Sequence, residues 1–322
     1  MTRPLRIFAD IRCDSATEEK LRIGVSPHEL IRPTESISVL SSINASLTGV
    51  DIAFGQPGVA GVLASDTLRW VHVSSAGYTR YDTPEFRAAA QSRGLALTNS
   101  SSVYDEPCAE HVLAFMLGAA RQLPRGLHSR AASGTPDWNG LRSACRLLRG
   151  ESLLILGYGA IARHLVRLLA PFHMRIVALR RRPSGDEEVP IISFEELPAA
   201  LAKADHVLNI LPDNAQTRGF LNEERLAQIK PGALLYNIGR GTTVDQPALV
   251  QALRSGQIAQ AWLDVTDPEP LPPGHPLLAL ENCHITPHIA GGHQNESQSL
   301  VDHFLQNFRR YVEGSSLNDR VL

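Results

Sequence analysis

Leu153-Leu154-Ile155-Leu156-Gly157-Tyr158-Gly159-Ala160-Ile161-Ala162 is the stretch that decides how the chain folds. Four apolar residues run straight into Gly-x-Gly-x-x-Ala. The next segment, Arg163-His164-Leu165-Val166-Arg167-Leu168-Leu169, carries apolar residues at helical spacing. That order is strand, tight turn, helix: the phosphate-binding turn of a dinucleotide fold. Gly157 permits the sharp turn, and Gly159 lets the backbone approach a pyrophosphate with no Cβ in the way. Ala162 keeps the helix close to the strand. The helix N-terminus offers unpaired N–H groups to an anion. The glycine pattern alone also suits a bare structural turn. With its flanking strand and helix it points to a cofactor site built on Gly157, Tyr158, Gly159, Ala160 and Ile161.

Toward the C-terminus, strand-like runs recur at 175–179, 206–211, 233–238, 259–264 and 284–287, separated by helical patterns. This spacing predicts a doubly wound parallel sheet. Toward the N-terminus, 5–11, 50–55, 69–73 and 95–99 read as strands. Thr83-Pro84-Glu85 opens a helix there and Gly94 ends it. Residues 100–105 read as a loop, 108–121 as a long apolar helix ending near Pro124, and 126–145 as irregular. The segment 296–312 is an amphipathic helix able to return and cover the first domain. The expected fold class is α/β with two domains. A Rossmann-type doubly wound parallel sheet occupies 103–293, and a smaller flavodoxin-like α/β substrate domain is made of 1–102 and 294–322.

The bulk properties agree. There are 322 residues, enough for two domains, with 43% hydrophobic and 20% charged. Net charge is −2, and apart from the triplet Arg180-Arg181-Arg182 no basic or acidic run is long enough to make a face for nucleic acid or a membrane surface. No apolar run approaches the roughly 20 residues of a membrane span. Nothing near Met1 resembles a signal-peptide core, so a cytoplasmic location is expected. Cys13, Cys108, Cys145 and Cys283 are scattered, which argues against a zinc site or a disulfide framework. His284 and His288 are four apart, but Pro287 between them spoils a helical metal pair, so no metal site is expected.

Three strand ends in the second domain carry chemistry. Asn237-Ile238-Gly239-Arg240-Gly241 places an Arg at the carboxyl edge of the sheet, where ligands bind in this fold and a guanidinium grips a carboxylate with two parallel bonds. A surface Arg beside turn glycines is the plainer alternative. In Asp264-Val265-Thr266-Asp267-Pro268-Glu269-Pro270, two prolines fix the backbone around Glu269, though such a loop is also often just a rigid solvated turn. Thr286-Pro287-His288-Ile289-Ala290-Gly291 offers His288 as an acid/base or as a satisfied structural histidine.

Taken together, the order Gly-x-Gly-x-x-Ala, N-x-G-R-G, D-V-x-x-x-E-P and T-P-H-x-A-G resembles the D-isomer specific 2-hydroxyacid dehydrogenase family, most nearly its glyoxylate and hydroxypyruvate reductases. The likeness extends to Ala109-Glu110-His111 and to Leu211-Pro212 followed by Thr217. It implies a 2-oxo acid reductase yielding a D-2-hydroxy acid. Arg240 would bind the carboxylate and keto oxygen, and His288 would deliver the proton. Glu269 would orient His288 and favour its charged form. Asp264 would contact the nicotinamide carboxamide. Leu211, Pro212, Thr217, Ile238 and Gly291 would line the cofactor site. Ser75, Ala76 and Gly77 would turn backbone N–H groups to the substrate carboxylate. A homodimer is implied, through the 126–145 segment and the preceding helix.

Charge argues for the cofactor. An acidic residue about 20 positions past the glycines ordinarily holds the ribose 2′-hydroxyl of NAD. Here that place is Arg180, followed by Arg181, Arg182 and Ser184. Guanidinium groups attract a 2′-phosphate, so NADP(H) is expected to be preferred, with NAD(H) possible. Some residues depart from the family pattern. Asp105 stands near where a small hydroxyl residue is usual, and Tyr78 is bulky at the end of the Ser-Ser-Ala-Gly loop. Two other readings keep the fold: a dinucleotide-sensing corepressor-like protein, and an oxidoreductase for formate or phosphite. Glu269 disfavours the formate enzyme, which would carry Gln there.

Overall fold

The computed structural model describes residues 3–33, 47–131 and 138–322. They form two compact units, Met1–Tyr104 with His293–Leu322, and Asp105–Gly292. No helix among the described residues is long and apolar enough to cross a membrane.

The first unit holds β1 (Arg6–Ala9), β2 (Glu29–Ile31), β3 (Ile52–Gly55), β4 (Trp70–Val73) and β5 (Ala96–Thr98). They pair in parallel in the order β2-β1-β3-β4-β5, the flavodoxin-like order. β3 and β4 are buried throughout, because helices cover both faces of a parallel sheet. The helix Glu296–Val312 supplies one cover. Its Leu300, Val301, Phe304, Leu305 and Phe308 pack with Ile7, Ala9, Phe54 and Trp70. The helix Pro84–Arg93 begins as read: Thr83 Oγ1 accepts from Phe86 N at 3.1 Å, and Gly94 ends it at φ +62°. The short edge strand β2 was not foreseen, since three residues carry too little periodicity.

The second unit holds β6 (Ser152–Leu156), β7 (Arg175–Leu179), β8 (Ile191–Ile192), β9 (His206–Asn209), β10 (Ala233–Asn237), β11 (Ile258–Leu263) and β12 (Cys283–Ile285). All pair in parallel, in the order β12-β11-β10-β9-β6-β7-β8. The chain leaves β6 toward β7 and β8, then returns to β9 on the other side. That reversal between β6 and β9 opens the crevice where ligands bind in doubly wound sheets. Leu154, Leu156, Val207, Leu235 and Leu263 from the strands meet Leu201, Leu226, Leu249 and Leu253 from the helices in one core. Each such side chain, fully buried, contributes about 1.5–3 kcal/mol.

Two expectations fail. Residues 126–145 are not irregular. Helices Leu123–Ala131 and Trp138–Ala144 occupy most of the segment, while 132–137, with Gly134 and Pro136, lie outside the described residues. Pro124 stands at the second position of a helix, where its missing N–H has no partner to lose, so it opens one rather than stopping its predecessor. The apolar helix spans Ser101–Ala120, so residues 101–105 are its first turns and not a loop. Asn99 Oδ1 accepts from Ser101 N at 3.3 Å and helps the turn begin. Pro107 lies inside the helix and hid its true start.

Candidate active site

The Gly-x-Gly-x-x-Ala turn follows β6 directly. Gly157 has φ +100°, a conformation that L side chains rarely adopt, and its N–H donates to Leu179 O at 3.0 Å. Gly159 is the N-cap of the helix Ala160–Leu169, with no side chain capping it and open space where a Cβ would stand. The first N–H groups of that helix therefore face outward, as an anion site requires. Ala162 is fully buried. Tyr158 is 5% exposed, and its hydroxyl accepts from Glu188 N at 3.1 Å. A cleft of about 290 Å³ lies over the turn, and Gly159, Ala160, Arg163, Arg180 and Asp105 are among its walls. An uncapped helix end, open backbone and three arginines against the single acid Asp105 fit a dinucleotide phosphate.

Beyond β7, Arg180 Nη1 donates to Ser184 Oγ and to Glu187 Oε1, each at 2.8 Å. Arg181 Nη1 reaches Gln216 Oε1, and Arg182 is exposed. Thr217 holds its own loop: its hydroxyl donates to Pro212 O and accepts from Asn214 N at 3.0 Å. Leu211 lies in the same loop, its N–H donating to Asn209 Oδ1 at 3.3 Å. Ile238 is buried beneath the Arg240 turn.

Arg240 follows β10 between two glycines with tight surroundings. A Cβ on Gly241 would stand 2.0 Å from the Thr266 backbone, so only glycine lets the two strand-end loops touch. The Arg240 carbonyl accepts from Thr243 Oγ1 at 2.6 Å and Asn237 Nδ2 at 3.1 Å. Asn209 Nδ2 in turn donates to Thr243 Oγ1 at 2.6 Å and Asn237 Oδ1 at 3.0 Å. Asn209, Asn237 and Thr243 are at most 1% exposed. This buried polar triad, which pins the Arg240 backbone, was missed from sequence. A polar residue at each of two strand ends was its only signal.

His288 and Glu269 meet although 19 positions separate them. His288 Nδ1 lies 2.6 Å from Glu269 Oε1. Asp264, 1% exposed, shapes the turn that presents the histidine. Its Oδ1 accepts from Thr286 Oγ1 at 2.6 Å and Ile289 N at 2.9 Å, and its Oδ2 from Ala290 N at 2.9 Å. Its backbone carbonyl accepts from His288 N at 2.9 Å, which helps hold His288 at φ +53°. Three of the roughly four acceptor sites of that carboxylate are thus engaged in positioning. His111, in the Ala109-Glu110-His111 motif, faces Thr286 Oγ1 at 3.3 Å, and burial pushes its pKa down. Gln246 Oε1 accepts from Asp267 N at 3.2 Å and steadies the loop leading to Glu269, another residue the sequence left unmarked. Gly291 follows Ala290 at the end of the same turn. Among the described residues, no group of three or more His, Cys, Asp or Glu could hold a metal ion.

The structure thus brings Arg240, Glu269, His288 and Asp264 to one sheet edge of the second unit. Ser75, Ala76 and Gly77 belong to the first unit, just past β4. There Ser75 Oγ donates to Gly77 O at 2.7 Å, and the Ala76 carbonyl accepts from Asn99 Nδ2 at 2.7 Å.

Known proteins agree with this architecture. Residues 113–290 match the profile described as "D-isomer specific 2-hydroxyacid dehydrogenase, NAD binding domain". A glyoxylate reductase from Thermofilum pendens is 31% identical over 254 residues, 78% of this chain and 74% of that protein. The D-isomer specific 2-hydroxyacid dehydrogenase from Xanthobacter autotrophicus Py2, solved with NADPH and MES, superposes with TM-score 0.81 at 25% identity, over 100% of this chain and 98% of that one. An NADPH-dependent glyoxylate/hydroxypyruvate reductase from Sinorhizobium meliloti, solved with NADP and malonate, gives TM-score 0.75 at 25% identity, over 99% and 97% of the chains. With its parallel Rossmann-like sheet and its strand-end motifs, the chain belongs to the D-isomer specific 2-hydroxyacid dehydrogenases, a family of NAD(P)-dependent oxidoreductases.

Proposed function

We propose that this protein reduces a 2-oxo acid of the glyoxylate and hydroxypyruvate type to its D-2-hydroxy acid, with NADPH preferred over NADH. The observation that carries the reading is the His288–Glu269 pair at 2.6 Å on the same sheet edge as Arg240. NADPH, when bound, supplies the hydride that arrives at C2. Glu269 occupies His288 Nδ1, which leaves Nε2 to give its proton to the carbonyl oxygen. The product is a 2-hydroxy acid, and in reverse the same nitrogen takes the proton back. Negative charge grows on that oxygen during reduction, and the Arg240 guanidinium stabilises it while gripping the carboxylate. The buried bonds behind Arg240 and His288 mean that neither backbone needs to rearrange at the moment of reaction.

Gly157, Tyr158, Gly159, Ala160 and Ile161 are proposed to hold the cofactor pyrophosphate, and Arg180 to Arg182 the 2′-phosphate. Leu211, Pro212, Thr217, Ile238, Asp264 and Gly291 are proposed to line the rest of the nucleotide site, and Ser75, Ala76 and Gly77 to contact the substrate carboxylate. A cytoplasmic homodimer completes the proposal. Sedimentation at micromolar concentration tests the dimer, and a monomer would refute it.

Initial rates with glyoxylate, hydroxypyruvate, pyruvate and phenylpyruvate, run in parallel with NADPH and NADH, test the activity. Turnover with NADPH exceeding that with NADH is expected for at least one acid. Nucleotide binding with no turnover of any acid would overturn the reductase and favour a dinucleotide sensor.

A further inference from the structure

The loop after β7 reads Ser184-Gly185-Asp186-Glu187-Glu188, three acidic residues beside the arginines proposed for the 2′-phosphate. Each acidic residue is engaged. Asp186 Oδ2 meets Arg163 at 3.2 Å, and Glu188 Oε1 meets Arg167 at 2.6 Å. Glu187 differs from both. Its Oε1 accepts from Arg180 Nη1 at 2.8 Å, Ser184 N at 2.7 Å and Ser184 Oγ at 3.0 Å, and its Oε2 from Gly185 N at 2.9 Å. Its side chain is only 5% exposed, on a loop where its neighbours lie open to solvent.

One guanidinium and two backbone N–H groups around a single anion, with the Ser184 hydroxyl shared between Glu187 and Asp186 Oδ1, form a donor set suited to a phosphate monoester. The backbone bond from Ser184 leads in holding the Glu187 carboxyl down to about 2, so it is an anion at any working pH. Two anions cannot share these donors, because like charges held by the same few groups repel.

Resting on the NADP(H) reading above, we propose that Glu187 is an internal stand-in for the 2′-phosphate. It fills that subsite in the free protein and must leave before NADPH binds there. The carboxylate keeps the arginine site assembled and neutral, and it subtracts from NADPH affinity. NADH, which has no 2′-phosphate, does not compete for these donors. Glu187 thereby narrows the preference for NADPH that Arg180 creates.

The test is equilibrium binding of NADPH, NADH, adenosine 2′,5′-bisphosphate and AMP to the full chain, to Glu187→Gln and to Glu187→Ala. Glu187→Gln keeps the shape and one acceptor, so the loop persists while the charge is gone. Both variants are expected to bind NADPH and the bisphosphate about three- to tenfold more tightly, the gain from freeing a subsite that is mostly closed. AMP binding should not tighten. Unchanged or weaker NADPH binding in both variants would overturn the proposal, and so would equal tightening of all four ligands. NADPH bound no better than NADH by wild type and by both variants would defeat the cofactor reading itself. That result is distinct from a wild type that prefers NADPH and gains nothing from either variant.

Discussion

Two rims of the second unit's sheet are held in opposite ways. At the Arg240–His288 edge the fixing groups are buried and largely neutral: Asn209, Asn237 and Thr243 behind Arg240, with the Asp264 carboxylate behind His288 spent on Thr286 and two backbone N–H groups. At the β7 rim the fixing groups are mostly exposed ion pairs: Arg163–Asp186, Arg167–Glu188 and Arg180–Glu187. Buried bonds are expensive to leave unmade, so they hold a geometry rigidly. Exposed pairs are weak and screened by salt, so an incoming anion can replace them. On the function proposed above, the chemistry would rest on the first kind of support and recognition of the 2′-phosphate on the second.

The largest effect should come from the fixed edge. His288→Gln keeps a hydrogen-bonding side chain but has no titratable nitrogen, and kcat should fall about 10³-fold, within the range for removing a general acid/base. Steady-state rates with NADPH check this. Retention of more than a tenth of wild-type kcat would remove His288 from the mechanism.

The interior of the first unit offers a related contrast, because it too rests on neutral bonds. His72, fully buried, pairs with Thr98 Oγ1 at 2.6 Å, and burial, reinforced by His303, pushes its pKa down to about 3. Its folded pKa lies below the unfolded one of about 6.5, so the unfolded chain takes the proton first as pH falls. Stability should therefore be complete above pH 6.5, decline steadily below it, and have lost about 4 kcal/mol from this group by pH 3. Melting temperature against pH, compared between wild type and His72→Asn, isolates the contribution. Parallel curves would show that the fold accepts a charge there.

Gly241→Ala probes the close approach of two strand-end loops. Its Cβ would meet the Thr266 backbone at 2.0 Å, and neither main chain can give way cheaply. A loss of about 1–3 kcal/mol is expected, with a lower kcat because Arg240 moves. Chemical denaturation together with kinetics reads both, and wild-type values for both would mean that the loops are looser than the buried triad implies.

The smallest effect belongs to the β7 rim. Arg167→Ala, which removes an exposed pair with Glu188, should leave the melting temperature unchanged within error. A clear drop would mean that this rim is held as firmly as the other.

Much of this was legible in the chain. The continuous apolar strands, the Gly157 turn and the final helix carry local signals, of period or of forced backbone conformation, that survive without tertiary context. So do Arg240, Glu269 and His288, each marked by a glycine or proline beside it. The edge strands β2 and β8 were not legible, because two or three residues carry no period. The start of the helix at Ser101 was hidden because Pro107 mimics a boundary, and the helices near 123–144 were hidden by Pro124 and scattered glycines.

The sequence by itself determined the α/β class, the strand-end motifs and the family, because those rest on residue type and spacing along the chain. Only the tertiary structure decided that Asp264 is engaged in shaping the histidine's turn, that Asn209, Asn237 and Thr243 brace the Arg240 backbone, and that Glu187 lies among the arginine-site donors. Those facts depend on which strand ends become neighbours and on where a bond-capable group finds its partner once water is excluded. Neither is written in the spacing of residues along one strand.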